Sequence, residues 1–288
     1  MKKYLLMADR LIMAAGGIGL VLRLWLQLVG PDEKGLFPAG HISWLLLLVL
    51  TGCVAVGLFL LAGYAGRNRS YRSNFPASVP GAIGCAIGAV CVAWSSLSSL
   101  LESAGTLQTV CSFAGVAAAV ALAFFGWCRF KDLRPNGFTF GLICLYLGIR
   151  VFVLGRLWGD DPELLRFLFG FLATVCTMLA GYQLWGFAVE LGNRSASLLW
   201  SGLAIFLCCS AVGEGTDPIL YAGLAVWLLL NLCPLKVPPR APRPATAAEA
   251  PAEAPAAEAP TEELTDEQLR DILLAADLTA TDEGEAEA

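Results

Sequence analysis

The chain has 288 residues, of which 57% are hydrophobic and only 15% are charged, and its mean hydropathy is +0.67. Soluble domains have roughly 45–50% apolar and about 25% charged residues, so this composition excludes an ordinary soluble globular protein. The apolar residues fall in repeated runs of about 16 to 24 residues, the length that crosses ~30 Å of hydrocarbon as a helix. The sequence therefore predicts an all-α, polytopic integral membrane protein.

The net charge of −5 averages two unlike parts of the chain. Residues 1–244 contain 18 Lys and Arg against 11 Asp and Glu, whereas residues 245–288 contain one Arg against 13 acids. We divide the chain into a transmembrane bundle (1–236), a Pro/Ala/Glu-rich linker (237–260) and an acidic tail (261–288). The linker cannot bury a core, so we expect it to be disordered and extended.

The apolar runs predict about eight transmembrane helices. In chain order they cover 11–29, 41–63, 81–101, 107–127, 137–158, 164–187, 198–212 and 218–235. The seventh run is the shortest, so whether it crosses completely is an open question at this stage. Asp217-Pro218 is typical of a helix start, with Asp217 expected to cap free N–H groups and Pro218 at the first helical position.

The basic residues outside the apolar runs predict an orientation, because cytosolic loops carry an excess of Lys and Arg. With the N-terminus in the cytosol, the outer loops hold Lys34, and Arg166 if the sixth helix begins late. The cytosolic side then holds thirteen basic residues: Lys2, Lys3, Arg10, Arg67, Arg69, Arg72, Arg129, Lys131, Arg134, Arg194, Lys236, Arg240 and Arg243. We therefore expect a multi-pass protein of the cell membrane with both termini in the cytosol.

Three arginines interrupt the apolar runs: Arg23, Arg150 and Arg156. A cation deep in a membrane helix costs ~2.5–3.5 kcal/mol on insertion scales, so it normally has a partner or a function. One interpretation is an outward-facing site in which these arginines bind an anion, such as a lipid phosphate or a carboxylate. The alternative is that each arginine extends to the interface or pairs with a neighbouring acid. Arg150 is the deepest of the three, and Arg156 is expected at the interface.

Residues that could perform catalysis are scarce, so we expect no catalytic residue, no metal and no cofactor. The single histidine, His41, lies at a helix entrance, and no Asp or Glu lies in the middle of an apolar run. The ten cysteines show no Cys-x-x-Cys spacing and are interpreted as small packing residues. No glycine-rich phosphate loop is present, and an enzyme is disfavoured.

Four serines give the third apolar run a polar patch: Ser95, Ser96, Ser98 and Ser99. They could line a pore, or they could donate hydrogen bonds to backbone carbonyls and neighbouring helices. Packing is the favoured interpretation, and the small residues Gly84 and Gly88 in the same run support close helix contact.

The acidic tail contains a predicted amphipathic helix at about 265–278. Thr265 and Gln268 fit a capping box, and the helix has an apolar stripe formed by Leu264, Leu269, Ile272, Leu273 and Ala276. We expect this stripe to bind a cytosolic protein, so that the membrane protein recruits or anchors that partner. The alternative function is a transporter, or its membrane subunit, for an anionic solute or lipid; a lipid-modifying enzyme is a third interpretation. Membrane lipid is an expected partner and nucleic acid is not.

Overall fold

The computed structural model describes residues 8–29, 42–65, 70–102, 105–158, 168–214 and 217–233. Every regular element in these ranges is a helix. The linker and the tail lie outside the described residues. The predicted partner-binding residues Leu264, Leu269, Ile272, Leu273 and Ala276 therefore lie outside them as well.

Nine helices are described, and one of them is a short helix of four residues. We number them α1 (Ala8–Val29), α2 (Ile42–Tyr64), α3 (Tyr71–Asn74), α4 (Val79–Glu102), α5 (Thr106–Lys131), α6 (Gly137–Trp158), α7 (Leu168–Ala188), α8 (Arg194–Val212) and α9 (Pro218–Leu232). Seven helices are long and apolar enough to cross a membrane, and α9 is a shorter apolar helix of 15 residues. The prediction of an all-helical chain is confirmed for the described residues, and the seven candidate spans are consistent with a multi-pass membrane protein.

The seventh predicted run is longer in the structure than in the sequence analysis. Helix α8 has 19 residues, because it begins at Arg194 rather than at Leu198. Asn193 caps it, since its side chain accepts hydrogen bonds from the backbone N–H groups of Ser195 and Ala196. The seventh helix is therefore long enough to span, and the eighth, α9, is the short one.

Six helices form a closed ring in the order α4, α5, α6, α7, α8, α9 and back to α4, and each packs against the next. Small residues allow this close packing: Gly84 and Gly88 on α4 face Leu230 and Trp227 on α9. Helices α1 and α2 lie outside the ring and pack against α8 and against each other. Their outward faces expose large apolar side chains such as Val21 and Phe59, as expected for helices solvated by lipid.

The two ends of the bundle differ in their charged residues: among the described residues, acids and arginines are equal in number at one end, and basic residues are in excess at the other. At one end, which we call the acidic end, lie Glu102 at the end of α4 and the turn between α8 and α9 with Glu214 and Asp217. The opposite end, which we call the basic end, holds buried Arg129 and Arg194 and the exposed Arg134. There Arg129 donates to the carbonyl of Pro76 just before α4, and Arg134 donates to that of Ala188 at the end of α7.

Candidate functional site

An ion pair between Arg150 and Asp217 crosses the interior of the ring at the acidic end. Arg150 lies on α6 about two turns before its end, and its Nη2 is 2.6 Å from Asp217 Oδ2. Ser95 on α4 donates its hydroxyl to the same carboxylate oxygen at 2.5 Å. Helices α6 and α9 are not neighbours in the ring, so this contact ties opposite sides of the bundle together.

The expectation that Asp217 caps α9 is wrong. Its backbone occupies the N-cap position and Pro218 follows at the first turn, but the carboxylate makes no capping hydrogen bond. The carboxylate accepts from Arg150 and Ser95 instead. A hydrogen bond from a guanidinium to a carboxylate is charge-assisted and stronger than one from a neutral amide. The carboxylate of Asp217 therefore binds Arg150 and does not cap the backbone N–H groups of α9.

A cavity of about 240 Å³ lies beside this pair, inside the ring and at the acidic end. Its walls come from α4, α5 and α6, together with the start of α9. The lining residues are Ser96, Ser99, Glu102, Gln108, Cys111, Ser112, Tyr146, Arg150, Val153, Leu154 and Asp217. Glu102 is exposed at the mouth, whereas Ser112 and Tyr146 are buried.

The hydrogen-bonding groups of the cavity wall that have no partner among the described residues include Arg150 Nε and the hydroxyl of Ser112. The remaining guanidinium nitrogen, Nη1, is 3.5 Å from the hydroxyl of Tyr146. Buried polar groups are normally hydrogen-bonded. Both unpaired atoms are buried beneath the surface of the wall, so a ligand or water reaches them only when a neighbouring side chain moves.

The serine patch is divided between helix packing and the wall of the cavity. Ser95 bonds to Asp217, and Ser98 donates to the carbonyl of Ser95 within its own helix. Ser96 and Ser99 line the cavity. Packing, the favoured interpretation, therefore accounts for only part of the patch.

A second ion pair lies on the other side of the same turn. Arg23 on α1 places Nη2 at 3.4 Å from Oε1 of Glu214, and both side chains are almost completely buried. Glu214 also accepts hydrogen bonds from the backbone N–H groups of Phe169 and Gly170, at 3.0 and 2.9 Å, in the first turn of α7. The partial positive charge of a helix N-terminus favours a carboxylate there. Glu214 therefore joins α1 and α7 to the turn after α8.

Burial is the main influence on the protonation of Glu214. It raises the pKa of this carboxyl group to about 7, although Arg23 and the two backbone N–H groups oppose the rise. The turn is held further by Gln27 on α1, whose side-chain amide donates to the carbonyl of Gly213.

The three arginines singled out from the sequence have different environments. Arg23 and Arg150 are each paired with an acid, which matches the alternative of a structural partner. Only Arg150 also faces the cavity. Arg156, in the last turn of α6, is exposed and does not line the cavity. Arg150 and the serine patch therefore lie at the same cavity, and Arg156 lies outside it.

Sequence reasoning missed the ion pairs of Glu214 and Asp217: Glu214 was given no role, and Asp217 was expected only to cap a helix. Their position was the available signal. Both acids lie in one short turn between two apolar runs, close enough to the helix ends for their side chains to point into the bundle. It also missed Arg129, which is buried at the basic end, stacks over the ring of Phe75 and donates to Pro76.

The described part of the chain contains no group of three or more His, Cys, Asp and Glu side chains that could hold a metal ion. All ten cysteines lie in this part and are free thiols. Comparisons with protein-family models, with curated proteins and with solved structures gave no match.

Proposed function

We propose that the ring of six helices is the membrane part of a transporter that binds a small charged solute in the cavity beside Arg150. The observation that carries this proposal is a cavity among membrane helices whose wall holds the Arg150–Asp217 ion pair and several hydroxyl groups. Ionisable groups inside membrane bundles are rare and mark solute pathways. An ion pair needed only for stability would be expected to pack without an adjoining polar chamber.

The ion pair also offers a way to couple binding to movement. Asp217 neutralises Arg150 when the cavity is empty, and a bound solute would compete with this carboxylate for the guanidinium. Because Asp217 begins α9 and Arg150 lies on α6, weakening the pair would loosen the contact between opposite sides of the ring. A ligand shifts a conformational equilibrium only by its difference in affinity for the two states, and exchange of the carboxylate for the solute supplies such a difference.

The proposed orientation places the basic end and both termini in the cytosol, in the cell membrane. The buried and exposed arginines of the basic end support it, because positive charge is concentrated on cytosolic sides. In this orientation the cavity at the acidic end opens away from the cytosol.

A second function is supported by the tail sequence alone. We propose that the apolar stripe of residues 264–278 binds a cytosolic protein as a helix in a groove. Crosslinked pull-down from native membranes would compare the full chain with a version that ends at Pro260. A protein recovered only with the full chain supports this role; equal recovery with both versions contradicts it.

The transport proposal is tested in proteoliposomes containing the full chain. Uptake of radiolabelled alanine, glutamate, lactate and phosphate is measured for the wild type and for three variants. Arg150→Gln and Ser112→Ala change the cavity wall, whereas Arg156→Gln changes an exposed arginine on the same helix and is the matched control.

We expect at least one probe to enter the wild-type vesicles, and its uptake to be lost in Arg150→Gln and reduced in Ser112→Ala. Arg156→Gln should retain wild-type uptake. Ser112→Ala removes one hydroxyl only and keeps the test informative if Arg150→Gln does not fold. Equal uptake by all four proteins, or no uptake by any, contradicts the proposal.

A further inference from the structure

We infer that the ligand of this cavity is a small zwitterion, which carries an ammonium group and an anionic group, rather than a plain anion. The inference rests on the proposed function, since it names the chemical class of the solute. It starts from the charges that line the cavity, then uses the hydrogen-bonding groups that are still free, and ends with the size of the space.

The charge of the wall disfavours a plain anion. The lining residues include one cation, Arg150, and two acids, Asp217 and Glu102. An anion would bring a third negative charge to a wall with one positive charge. Its repulsion from Asp217 would be strong, because that carboxylate is largely buried and the dielectric constant is low there. A zwitterion adds no net charge, so the net charge of the cavity and its wall does not change when it binds.

The hydrogen-bonding groups of the wall match both ends of a zwitterion. Arg150 and Ser112 line the cavity, and each has a buried donor without a partner among the described residues. Rotation of either side chain toward the cavity would offer that donor to a carboxylate or phosphate. Glu102 is exposed at the mouth, and its carboxylate suits an ammonium group. Asp217 also lines the cavity. Its Oδ2 accepts from Arg150 and Ser95, and Oδ1 is the second acceptor of the same carboxylate.

A simple amine would leave the donors of Arg150 and Ser112 unused, and unpaired buried donors cost free energy. A zwitterion satisfies donors and acceptors together. Ser112 lies nearly two turns inside the start of α5 and Arg150 about two turns inside the end of α6, while Glu102 is the last residue of α4. The anionic group is therefore expected deeper in the cavity, with the ammonium group toward the mouth.

The size of the space limits the ligand to few atoms beyond the two charged groups. The cavity has a volume of about 240 Å³, and Val153 and Leu154 supply an apolar part of its wall. An α-amino acid with a short apolar side chain meets these conditions. The phosphoethanolamine headgroup of a lipid has the same pair of charges, so the experiment must separate the free solute from the headgroup.

Cys111 provides a reporter inside the cavity, because it lines the wall. The full chain in nanodiscs made of an uncharged galactolipid is treated with methyl methanethiosulfonate, a small uncharged reagent. Peptide mass spectrometry then follows modification of Cys111 separately from the other cysteines. Bound ligand blocks the reagent, so a ligand at ten times its Kd should slow modification about tenfold.

The probes form matched sets. Alanine carries both charged groups, isopropylamine carries only the ammonium group and propionate only the carboxylate. Phosphoethanolamine, added free or as phosphatidylethanolamine in the nanodisc, represents the headgroup. The variant Glu102→Gln removes the exposed carboxylate at the mouth, and Glu190→Gln at the basic end is its control.

We expect alanine or phosphoethanolamine to protect Cys111, and isopropylamine and propionate to give no protection at the same concentration. Protection only by phosphatidylethanolamine in the nanodisc assigns the zwitterion to a lipid, and protection by free alanine assigns it to a solute. Glu102→Gln should weaken the protection at least several-fold, whereas Glu190→Gln should leave it unchanged.

Other results overturn the inference in distinguishable ways. Protection by propionate alone leaves the transport proposal intact and makes the ligand a plain anion. Protection by isopropylamine alone makes the ligand a cation. Absence of protection by every probe rejects the zwitterion. If the reagent never reaches Cys111, the cavity is closed to small molecules, and the proposed function fails together with the inference.

Discussion

Arg150 and Asp217 are 67 residues apart in the sequence, and Nη2 of the arginine lies 2.6 Å from Oδ2 of the aspartate. Both side chains are largely buried, at 12% and 18% exposure. The pair joins α6 to the start of α9 across the interior of the ring, and Ser95 adds a contact from α4. Three segments that are distant in the chain therefore meet at one carboxylate beside the cavity.

Removal of this carboxylate should destabilise the bundle. Asp217→Asn leaves Arg150 buried without its counter-charge, and breaking a buried ion pair costs about 3–5 kcal/mol. We expect a lower unfolding temperature and a loss of free energy of unfolding toward the lower end of that range, since neither side chain is completely buried. Thermal unfolding of the protein in detergent micelles, or denaturation in SDS, would measure the change.

The exposed pair at the basic end provides the control. Arg134 and Glu190 are 3.0 Å apart, but their side chains are 45% and 63% exposed, so solvent screens their attraction. Glu190→Gln should cost no more than ~1 kcal/mol. Equal effects of the two substitutions would show that Asp217 contributes no more than a surface charge.

Glu214 should make stability depend on pH. An unfolded glutamate releases its proton near pH 4.5, whereas burial raises the pKa of Glu214 in the folded state to about 7. Between these values the folded protein binds the proton more tightly than the unfolded chain, so stability falls as pH rises from 4.5 to 7 and is then constant. Glu214→Gln should flatten this part of the profile. An unchanged slope in the variant would assign the pH dependence to another group.

The close approach of α4, α5 and α6 at Gly115 gives a third prediction. A Cβ atom at this position would collide with the side chains of Ser96 and Tyr146, both of which line the cavity. Gly115→Ala should therefore overpack the ring and cost about 1–3 kcal/mol, and it should reduce the volume available to a ligand. Thermal unfolding measures the first effect, and protection of Cys111 measures the second.

Two glycines on α2 are matched controls for this substitution. No atom lies within 4 Å of a Cβ built on Gly52 or Gly57. Alanine at either position should be neutral or slightly stabilising, because alanine has a higher helix propensity than glycine. A loss of stability in Gly52→Ala similar to that in Gly115→Ala would indicate a general helix effect instead of a local collision.

The orientation of the chain is open to a direct test. A green fluorescent protein fused after Ala288 should fluoresce, because it folds in the cytosol, while an exported alkaline phosphatase at the same position should be inactive. The reverse pattern should appear for fusions made between Glu102 and Gly105. Opposite results would place the basic end outside the cytosol and the cavity toward it.

The sequence by itself determined the class of this protein and most of its helix bounds. A run of about 20 apolar residues can satisfy its backbone hydrogen bonds in lipid only as a helix, so composition and run length are enough to place these elements. The largest differences lay at helix ends. Helix α8 begins at Arg194 because Asn193 caps it, and the polar residues between that cap and Leu198 concealed this start in the sequence.

Only the tertiary structure decided which charges meet. Arg23 and Arg150 were visible as costly residues, but their partners Glu214 and Asp217 are 191 and 67 residues away. Pairing at such distances depends on the order of the helices around the ring and on the rotation of each helix about its axis. Asp217 is an example. Its position before Pro218 predicts a helix cap, but the packing of the helices places the Arg150 guanidinium beside its carboxylate. The charge-assisted hydrogen bond to Arg150 is stronger than a capping hydrogen bond and forms instead.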